Sequence, residues 1–556
     1  QPLGTPMPDD EVEFAPGSAR FVRRHHSVHS VLEVAVDPGR AVELRRLSVS
    51  NHGDHTRRLS LTTYAELVLG PAAADDAHPA FSKMFVQTEW DATHAMLLAT
   101  RRHRDSHEPA LWLAQALQVL GRPVDGGCGY ETDRARWLGR GRTLRDAQAM
   151  LPGTQLGGTV GCVLDPVSSL RQHFTLAPRE TVTLLLWTRV GDSRAQALDL
   201  AAELADGGSA ARLIAAAGQQ AADRQQRHAL DAPSQQRLGR WLGALVGNDP
   251  SQRGATADRV RGHGGAPTLW AAGISGDRPL LLLRLLDAAA LDQVRELLRA
   301  QRWWREQYFA VDVVLLGAAG ADGDALDAAL KPMLDEQQAA LKADPGQPKA
   351  EVFALREDHI DGGLRDGLLA FARVVLDADA ATSPASPAPT AMPAAPAAPA
   401  PIRATRPAGA MAAVPGQPEF ANGLGGFVDG GRSYRIELRH GATTPAPWIN
   451  VVANPAFGFL VSAEGGGYTW SLNSQQNPLT PWPNDAVSDA PHEVLYLRDE
   501  DTGVLWSATV LPIRLADTDY VATHGKGWTC FSHVAHELAV ELTQCVPTGD
   551  SIKLSR

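Results

Sequence analysis

The chain has 556 residues, of which 44% are hydrophobic and 21% are charged, and its formal net charge is -11. That length predicts roughly three or four domains, and the excess of acidic residues excludes a broad cationic surface for nucleic acid or anionic lipid. Four cysteines without a CxxC spacing favour a reducing compartment over a disulfide framework. No apolar run approaches the ~20 residues of a membrane-spanning helix, so we expect no membrane insertion.

The first region, residues 1–193, is predicted to form an antiparallel β-sandwich. It opens with QPLGTPMPDDEVEF, which lacks the pattern of a secretory signal and suggests an internal cut in a longer chain. From Ser30 the sequence SVLEVAVDPGRAVELRRLSVSNHGDHTRRLSLTTYAEL places an apolar residue at every second position. Turn residues at 37–39 and 51–54 separate these runs.

The second region, residues 194–376, changes to a helical period, as in RAQALDLAAELADGGSAARLIAAA. Two apolar runs, PLLLLRLL at Pro279 and FAVDVVLLG at Phe309, fit buried strands as well as helix cores. The region is therefore either all-helical or mixed α/β. Residues 377–415 are mostly Ala, Pro, Ser and Thr, which predicts a semi-extended linker without a core.

The last region, residues 416–556, returns to a β pattern, and its end repeats part of the first region. HELAVELTQCVPTGDSIKLSR at His536 follows the pattern of HSVLEVAVDPGRAVELRR at His29. The repeat suggests the back part of one sandwich in residues 1–193 and the front part of another in residues 416–556. Two alternatives remain: a chance similarity of two hairpins, or one composite sandwich in which the last region folds back onto the first.

The richest candidate for sugar binding lies between residues 448 and 489. Indole rings stack on the apolar faces of sugars, and amides donate to and accept from vicinal hydroxyls. The candidate substrate-binding residues there are Trp448, Asn450, Trp470, Asn473, Trp482, Asn484 and Asp485. The competing interpretation is a long loop pinned by its own Asn side chains and buried Trp rings.

A second candidate is the segment DRARWLGRGR, from which we select Arg136 and Arg140. On a strand, alternate arginines would share a face and offer guanidinium groups to phosphate or sugar hydroxyls. A solvated strand face explains the same pattern. Two HxxH spacings, at His26 and at His533, place their histidines on opposite strand faces, so no metal site is predicted.

Long segments of the chain resemble the phosphorylase-like region of cyclic β-1,2-glucan synthases, which is related to glycoside hydrolase family 94. They include LTTYAELVLGPAAADDAHPAFSKMFVQTEW at Leu61, YETDRARWLGRGRTLRD at Tyr130 and GISGDRPLLLLRLL at Gly273. The longest is APWINVVANPAFGFLVSAEGGGYTWSLNSQQNPLTPWPNDAVSDAPHEVLYLRDEDTG at Ala446. The resemblance implies β-supersandwich segments flanking a helical or mixed α/β domain. It also implies that Trp482, Asn484 and Asp485 lie near a substrate cleft.

The resemblance further implies a role in binding and processing β-1,2-glucan, with inorganic phosphate as co-substrate and no other cofactor. The family's catalytic acid lies in a helical barrel, and no DWND-type stretch occurs in this chain, so we predict no catalytic residue here. The implied partners are a β-glucan, the remaining domains of a glucan synthase, and a second copy in a homodimer. The implied location is the cytoplasm, with the parent protein anchored at the inner membrane. The alternatives are a free-standing phosphorylase or glycosyltransferase, and a protein-interaction module.

Overall fold

The protein is described by a computed structural model. The described residues are 10–15, 17–102, 110–121, 124–228, 230–253, 265–285, 290–319, 321–343, 346–378 and 417–556. The chain divides into two compact units, one of Gln1–Gly218 with Pro399–Arg556 and one of Gln219–Ala398. Most of the predicted linker, residues 379–416, lies outside the described residues. No described helix is long and apolar enough to cross a bilayer.

The first part of unit 1 is built mainly from antiparallel strands. The strands are β1 (Glu11–Ala15), β2 (Ser18–His25), β3 (Val28–Val36), β4 (Val42–Asn51), β5 (Arg57–Thr62), β6 (Ala65–Glu66), β7 (Val86–Asp91), β8 (Met96–Arg101), β9 (Trp112–Leu120), β10 (Gly129–Asp133), β11 (Pro166–Leu176) and β12 (Thr181–Gly191). An eight-stranded sheet has the order β1-β2-β3-β4-β12-β9-β8-β7, and a smaller sheet has the order β10-β11-β5, with β6 also paired to β11. Because side chains alternate between the faces of a strand, Leu170 and Phe174 of the small sheet meet Leu184 of the large one in a shared core.

Three of the helices in this part, those between residues 194 and 227, cover the other face of the large sheet. The helices of this part are α1 (Ala72–Ala77), α2 (Pro79–Lys83), α3 (Arg134–Leu138), α4 (Arg194–Leu198), α5 (Leu200–Ala205) and α6 (Ser209–Arg227), with a 3-10 turn at Gln148–Met150. Leu200 and Leu213 pack there against Trp187 of β12. The helices of residues 194–227 thus complete the β core, and the division between the two units lies at Gly218, within the last of them. The domain boundary at residue 194 stays a prediction.

Unit 2 is a parallel α/β layer structure. Its elements are α7 (Ala232–Gly247), a 3-10 turn (Pro250–Gln252), α8 (Pro267–Trp270), β13 (Leu280–Leu285), α9 (Leu291–Arg305), β14 (Asp312–Gly317), α10 (Ala321–Ala343), β15 (Val352–Arg356), α11 (Gly362–Phe371) and β16 (Val374–Asp377). The parallel sheet has the order β15-β14-β13-β16. Adjacent residues of β13 point to opposite faces of the sheet: Leu281 packs in the core on one face, and Leu282 packs in the core on the other.

This arrangement decides between the two predictions for residues 194–376. The runs at Pro279 and Phe309 form the buried strands β13 and β14, so the region is mixed α/β and not all-helical. Strands that are buried on both faces have continuous apolar sequences. Periodicity alone therefore did not show whether these two runs form strands or helices. The predicted fold class, β-sandwich segments with a mixed α/β domain, is confirmed.

The last part of unit 1 has a sandwich core of its own. Its strands are β17 (Gly425–Val428), β18 (Ser433–Leu438), β19 (Ile449–Ala453), β20 (Phe457–Ser462), β21 (Gly467–Ser471), β22 (Tyr496–Arg498), β23 (Leu505–Ser507), β24 (Tyr520–Gly525), β25 (Trp528–Ala535), β26 (Leu538–Cys545) and β27 (Leu554–Ser555). They form sheets of order β17-β18-β24-β25-β26-β27, β19-β20-β21 and β22-β23. Phe459 of the three-stranded sheet packs against Phe531 of the six-stranded sheet.

The sequence repeat is visible in the backbone, and its register differs from the predicted one. Residues 11–46 match residues 521–556 without a gap, so His536 corresponds to His26 and not to His29. His26 and Ser27 join β2 to β3 with φ of 46° and 60°, and His536 and Glu537 join β25 to β26 with φ of 50° and 66°. Two successive residues with positive φ are the signature of a type I′ hairpin turn. The shared turn geometry indicates a duplicated β unit, which a chance similarity does not explain.

Candidate functional site

The three-stranded sheet carries a cluster of aromatic and aliphatic side chains on the face opposite the core. Cross-strand pairing places Val451, Leu460 and Tyr468 in one row of this outer face. In the next row Trp470 lies over Gly458, where a Cβ would be 2.6 Å from the indole ring. Glycine at that position therefore lets the indole lie flat on the backbone.

Trp482 extends this outer face towards solvent. Its ring stacks on that of Tyr468 at 5.1 Å between centroids and 8° between planes. Tyr468 is buried and covers part of one side of the indole, whereas Trp482 itself is 39% exposed. Val451, Leu460, Tyr468, Trp470 and Trp482 are called the aromatic face below.

The loop that carries Trp482 is held in place by polar contacts. The Asn473 Oδ1 atom accepts hydrogen bonds from the backbone N–H groups of Gln475 and Gln476. The hydroxyls of Thr469 and Thr480 both donate to Glu493 Oε1, at 2.6 and 2.5 Å. Burial disfavours the charged form of Glu493, yet the Lys553 ammonium and these hydroxyls outweigh burial and lower its pKa. These contacts fix the loop to the three-stranded sheet and to Glu493.

A second cluster fixes the end of the same loop to the first β region. Arg134 donates to both carboxylate oxygens of Asp485, at 2.9 Å each, and to Asp165 at 2.8 Å. Although burial alone would raise it, the pKa of Asp485 lies well below its usual range because Arg134 and two backbone N–H groups bind the carboxylate. Asp485 is therefore charged and bound within the protein.

Arg140 forms the other half of this cluster. Its guanidinium lies 3.1 Å from Glu464 and 3.2 Å from Asp489, and Arg514 also binds Glu464. Burial raises the pKa of Asp489, whereas the nearby Ser462 hydroxyl and Arg140 act in the opposite direction. The two arginines with Asp165, Glu464, Asp485 and Asp489 are called the polar seam below.

Apolar contacts accompany the seam. Val487 packs beside Trp137, Leu138 and Val167, in a small core formed by both β regions of unit 1. The larger cores stay separate, since residues near His29 and near Trp470 belong to different clusters. The two β regions therefore meet through the seam and this small core, and they do not merge into one sandwich.

The predicted site residues fall into groups with different surroundings. Trp448 and Trp470 pack against apolar clusters, and Asn450 donates its amide to Gly525, Trp528 and Thr529. Asp485 and Arg140 belong to the polar seam. Asn473, Trp482 and Arg136 are exposed, and Asn484 is half-buried. Contact of any of the nine with substrate stays a prediction.

The strand predicted for the arginine segment is wrong. Asp133 caps a short helix by accepting a hydrogen bond from Ala135 N, and Gly139 ends the helix with a φ of 87°. In a helix, alternate residues point in different directions. Arg134 is consequently buried, whereas Arg136 is 65% exposed and lies 3.7 Å from Asp133.

Several residues that organise the site were not predicted. Glu464 is fully buried in the apolar stretch VSAEGGGY, and an acid in such a stretch signals an internal ion pair. Glu493 and Tyr468 had no comparable signal, because their partners lie far along the chain. Within the part of the chain that the structure describes, no group of three or more His, Cys, Asp or Glu residues is arranged to hold a metal ion.

Comparison with known proteins identifies the family. The model of the Glycosyl hydrolase 94 supersandwich domain matches residues 1–207 and 432–556. The chain belongs to this family. The match covers both β regions of unit 1 and omits unit 2, and the resemblance inferred from the sequence is confirmed.

Relatives of the family 94 chain process carbohydrates. The cyclic beta-(1,2)-glucan synthase NdvB of Rhizobium meliloti (strain 1021) is 32% identical over 574 residues, which is all of this chain and 20% of that protein. The N,N'-diacetylchitobiose phosphorylase of Vibrio furnissii is 30% identical over 112 residues, covering 20% of this chain and 14% of that one. A 3-O-beta-D-glucopyranosyl-beta-D-glucuronide phosphorylase of Paenibacillus borealis is 27% identical over 127 residues, covering 23% and 15%. The chain thus spans a minor share of each relative.

Proposed function

We propose that this family 94 chain binds β-1,2-linked glucan on the aromatic face and serves as a non-catalytic part of a cyclic β-1,2-glucan synthase. The observation that carries the proposal is the exposed Trp482 ring, stacked flat on the buried Tyr468. A rigid indole offers a flat apolar surface to the C–H face of a sugar ring at little entropic cost. The Rhizobium relative, a cyclic beta-(1,2)-glucan synthase, supplies the substrate class.

The side chains around Trp482 supply polar contacts for sugar hydroxyls. Asn484 lies two residues away with a φ of 49°, and Asn473 lies in an exposed turn of the same loop. Amides both donate and accept, as hydroxyl recognition requires. In this proposal Arg140 and Asp485 position the loop, because they belong to the polar seam that holds its base. Arg136 remains available at the surface for a phosphate or glucan contact.

The non-catalytic part of the proposal is supported by the surroundings of the buried carboxylates. Glu464 and Asp489 bind Arg140, and Asp312 of unit 2 lies 3.1 Å from Arg278. A general acid must reach the glycosidic oxygen, whereas each of these carboxylates is held by a guanidinium inside the protein. The described residues of unit 2 form an open parallel sheet with helices and contain no double ring of helices of the kind that the resemblance implies for catalysis.

The wider setting of the chain follows from the same proposal. Inorganic phosphate would be a co-substrate of the catalytic part, and no other cofactor is proposed. The remaining domains of a glucan synthase and a second copy in a homodimer are the proposed protein partners. The proposed location is the cytoplasm, with the parent protein anchored at the inner membrane. A free-standing phosphorylase or glycosyltransferase and a protein-interaction module are the rival functions.

Replacing Trp482 tests the binding surface. In Trp482→Ala the affinity for linear β-1,2-glucan oligosaccharides should fall about ten-fold, because the stacking surface is lost while the buried Tyr468 remains. Isothermal titration calorimetry measures the change. Trp270→Ala removes another exposed indole, 61% accessible and located in unit 2, and should leave the affinity unchanged.

Three results would contradict the proposal. Equal affinity of wild type and Trp482→Ala would exclude the aromatic face as the binding surface. Equal affinity for β-1,3-linked and β-1,2-linked oligosaccharides would show that the chain does not select the β-1,2 linkage. Release of glucose 1-phosphate from β-1,2-glucan and phosphate, in proportion to added protein, would show that the chain is a phosphorylase.

A further inference from the structure

The polar seam extends beyond Arg134 to Glu66, at the end of β6 in the first β region. Arg134 donates from Nε to Glu66 Oε1 at 3.2 Å. Its two other guanidinium nitrogens donate to Asp485, which follows Trp482 by three residues. A single guanidinium therefore links Glu66 to the end of the loop that carries Trp482.

The two carboxylate oxygens of Glu66 have different surroundings. Oε1 accepts hydrogen bonds from Arg134 and from the Tyr64 hydroxyl, which lies at 2.8 Å. Burial and the adjacent Glu66 carboxylate raise the pKa of Tyr64, so its hydroxyl stays protonated and donates. Oε2 accepts no hydrogen bond from the described residues, and the Glu66 side chain is 41% exposed. Glu66 thus has one occupied oxygen and one that can accept a hydrogen bond from a ligand.

Lys83 supplies donors beside this open acceptor. Its Nζ lies 3.6 Å from Glu66 Oε2, which is too long for a direct hydrogen bond, and donates to Asp165 Oδ1 at 2.8 Å. An ammonium group has three N–H donors, and Asp165 is the single hydrogen-bond acceptor of Lys83 among the described residues. In contrast, both oxygens of Asp165 and of Asp485 accept within the protein. Glu66 and Lys83 therefore place an open acceptor next to open donors.

We propose that Glu66 and Lys83 form a second sugar subsite, which binds the vicinal C3 and C4 hydroxyls of a glucosyl unit. Inside a β-1,2-linked chain the C2 oxygen belongs to the linkage, and the C3–C4 diol of each unit stays free. One hydroxyl donates to Glu66 Oε2 and its neighbour accepts from Lys83 Nζ, in charge-assisted hydrogen bonds. This subsite rests on the proposed function, because it binds the same glucan chain that stacks on Trp482.

The path between the two subsites follows the loop and the seam. Trp482 and Asp485 are separated by at most about 11 Å of extended backbone, and Asp485 and Glu66 bind the same guanidinium. Asn484 lies on this path and is half-buried. A glucan of several units should therefore occupy both subsites, whereas a disaccharide should occupy the Trp482 subsite alone.

The dependence of affinity on chain length tests the second subsite. Isothermal titration calorimetry with linear β-1,2-glucan oligosaccharides, from the disaccharide upwards, should show an affinity for wild type that rises with length. In Glu66→Gln the affinity for the long chains should fall about ten-fold and that for the disaccharide should stay unchanged. The amide of Gln turns its oxygen towards the donors of Arg134 and Tyr64, so it presents N–H groups where Oε2 was an acceptor. Lys83→Gln should have the same effect as Glu66→Gln.

Glu89→Gln is the matched control. Glu89 belongs to the same β region, its side chain is 39% exposed, and it binds Arg194. This variant should keep the affinities of wild type at every chain length. A loss in Glu89→Gln equal to that in Glu66→Gln would overturn the subsite, because a general change in surface charge would then explain both.

Three further results separate the subsite from the proposed function. Wild-type affinity for long chains in both Glu66→Gln and Lys83→Gln, together with weaker binding in Trp482→Ala, would overturn the subsite and leave the proposed function standing. An equal loss at every length in Glu66→Gln would also overturn the subsite, because the substitution would then act through the loop of Trp482. Absence of glucan binding by wild type at every length would overturn the proposed function and the subsite together.

Discussion

In Arg134→Met the free energy of unfolding of unit 1 should fall by about 3–5 kcal/mol. The guanidinium is 9% exposed and binds Asp485 through two hydrogen bonds and Asp165 through a third. Its removal leaves the Asp485 carboxylate without its counter-charge, while Asp165 keeps the Lys83 ammonium at 2.8 Å. An unpaired buried charge such as that of Asp485 is strongly destabilising. Urea unfolding followed by tryptophan fluorescence measures the loss.

The chain offers a matched control two residues away. Arg136 belongs to the same short helix, but it is exposed and lies 3.7 Å from a single carboxylate, that of Asp133. Arg136→Met should therefore change stability by less than about 0.5 kcal/mol. In the double variant Arg134→Met with Asp485→Asn, part of the lost stability should return, because one uncompensated charge is gone. Equal unfolding midpoints for Arg134→Met and wild type would show that the seam does not stabilise the unit.

Acidification should destabilise the last β region as the pH falls from about 6.5 towards 4. Burial lowers the pKa of His533 to about 4, and burial lowers that of His524 to about 4 as well. Both ring nitrogens of His533 and Nε2 of His524 are buried without a hydrogen-bond partner among the described residues. The folded protein thus holds both rings neutral, whereas the unfolded chain binds protons already near pH 6.5.

The sign of the effect follows from this difference. Well above pH 6.5 both rings are neutral in both states, so this contribution to stability is fully present. As the pH falls through about 6.5 the unfolded state gains protons that the folded state does not bind. At about 1.4 kcal/mol per pKa unit, the loss by pH 4 is on the order of 3 kcal/mol for each histidine. Urea unfolding of wild type at pH 7 and pH 4.5 measures the combined loss.

Replacing one histidine assigns the effect. His533→Phe should reduce the loss between pH 7 and pH 4.5 by about half, because one of the two buried protonation sites is removed. His55→Ala, which removes an exposed histidine, should retain the full loss. An unchanged pH dependence in His533→Phe would rule out this histidine as a source of acid sensitivity and would leave His524 and the carboxylates as the remaining sources.

Features that depend on local sequence could be predicted. The alternation around Leu32 defines β3 and β4, and the resemblance at Ala446 identified the family. The duplicated hairpin was also recognised, although its register was assigned three residues late. The first copy has histidines at both 26 and 29, and only the longer ungapped match of residues 11–46 to residues 521–556 pairs His536 with His26. The left-handed φ values at His26 and His536 agree with that pairing.

Features that depend on distant partners could not be predicted. Arg134 and Asp485 are 351 positions apart, so no spacing rule connects them. The arginine segment was assigned to a strand because alternation is read locally, whereas the cap at Asp133 and the packing of Trp137 favour a helix. Trp482 was selected for its residue type, but only the fold shows that its ring rests on Tyr468.

The duplicated β unit has a consequence for how the protein folds. Tandem β units of similar sequence tend to exchange strands during folding, and the resulting swapped forms aggregate. Here the two hairpins have the same turns but different side chains: Phe14 in one copy stands where His524 stands in the other, and Arg23 where His533 stands. A strand in the wrong copy would bury an arginine in an apolar core. The sequence differences between the copies thereby disfavour strand exchange, although both copies have the same backbone conformation.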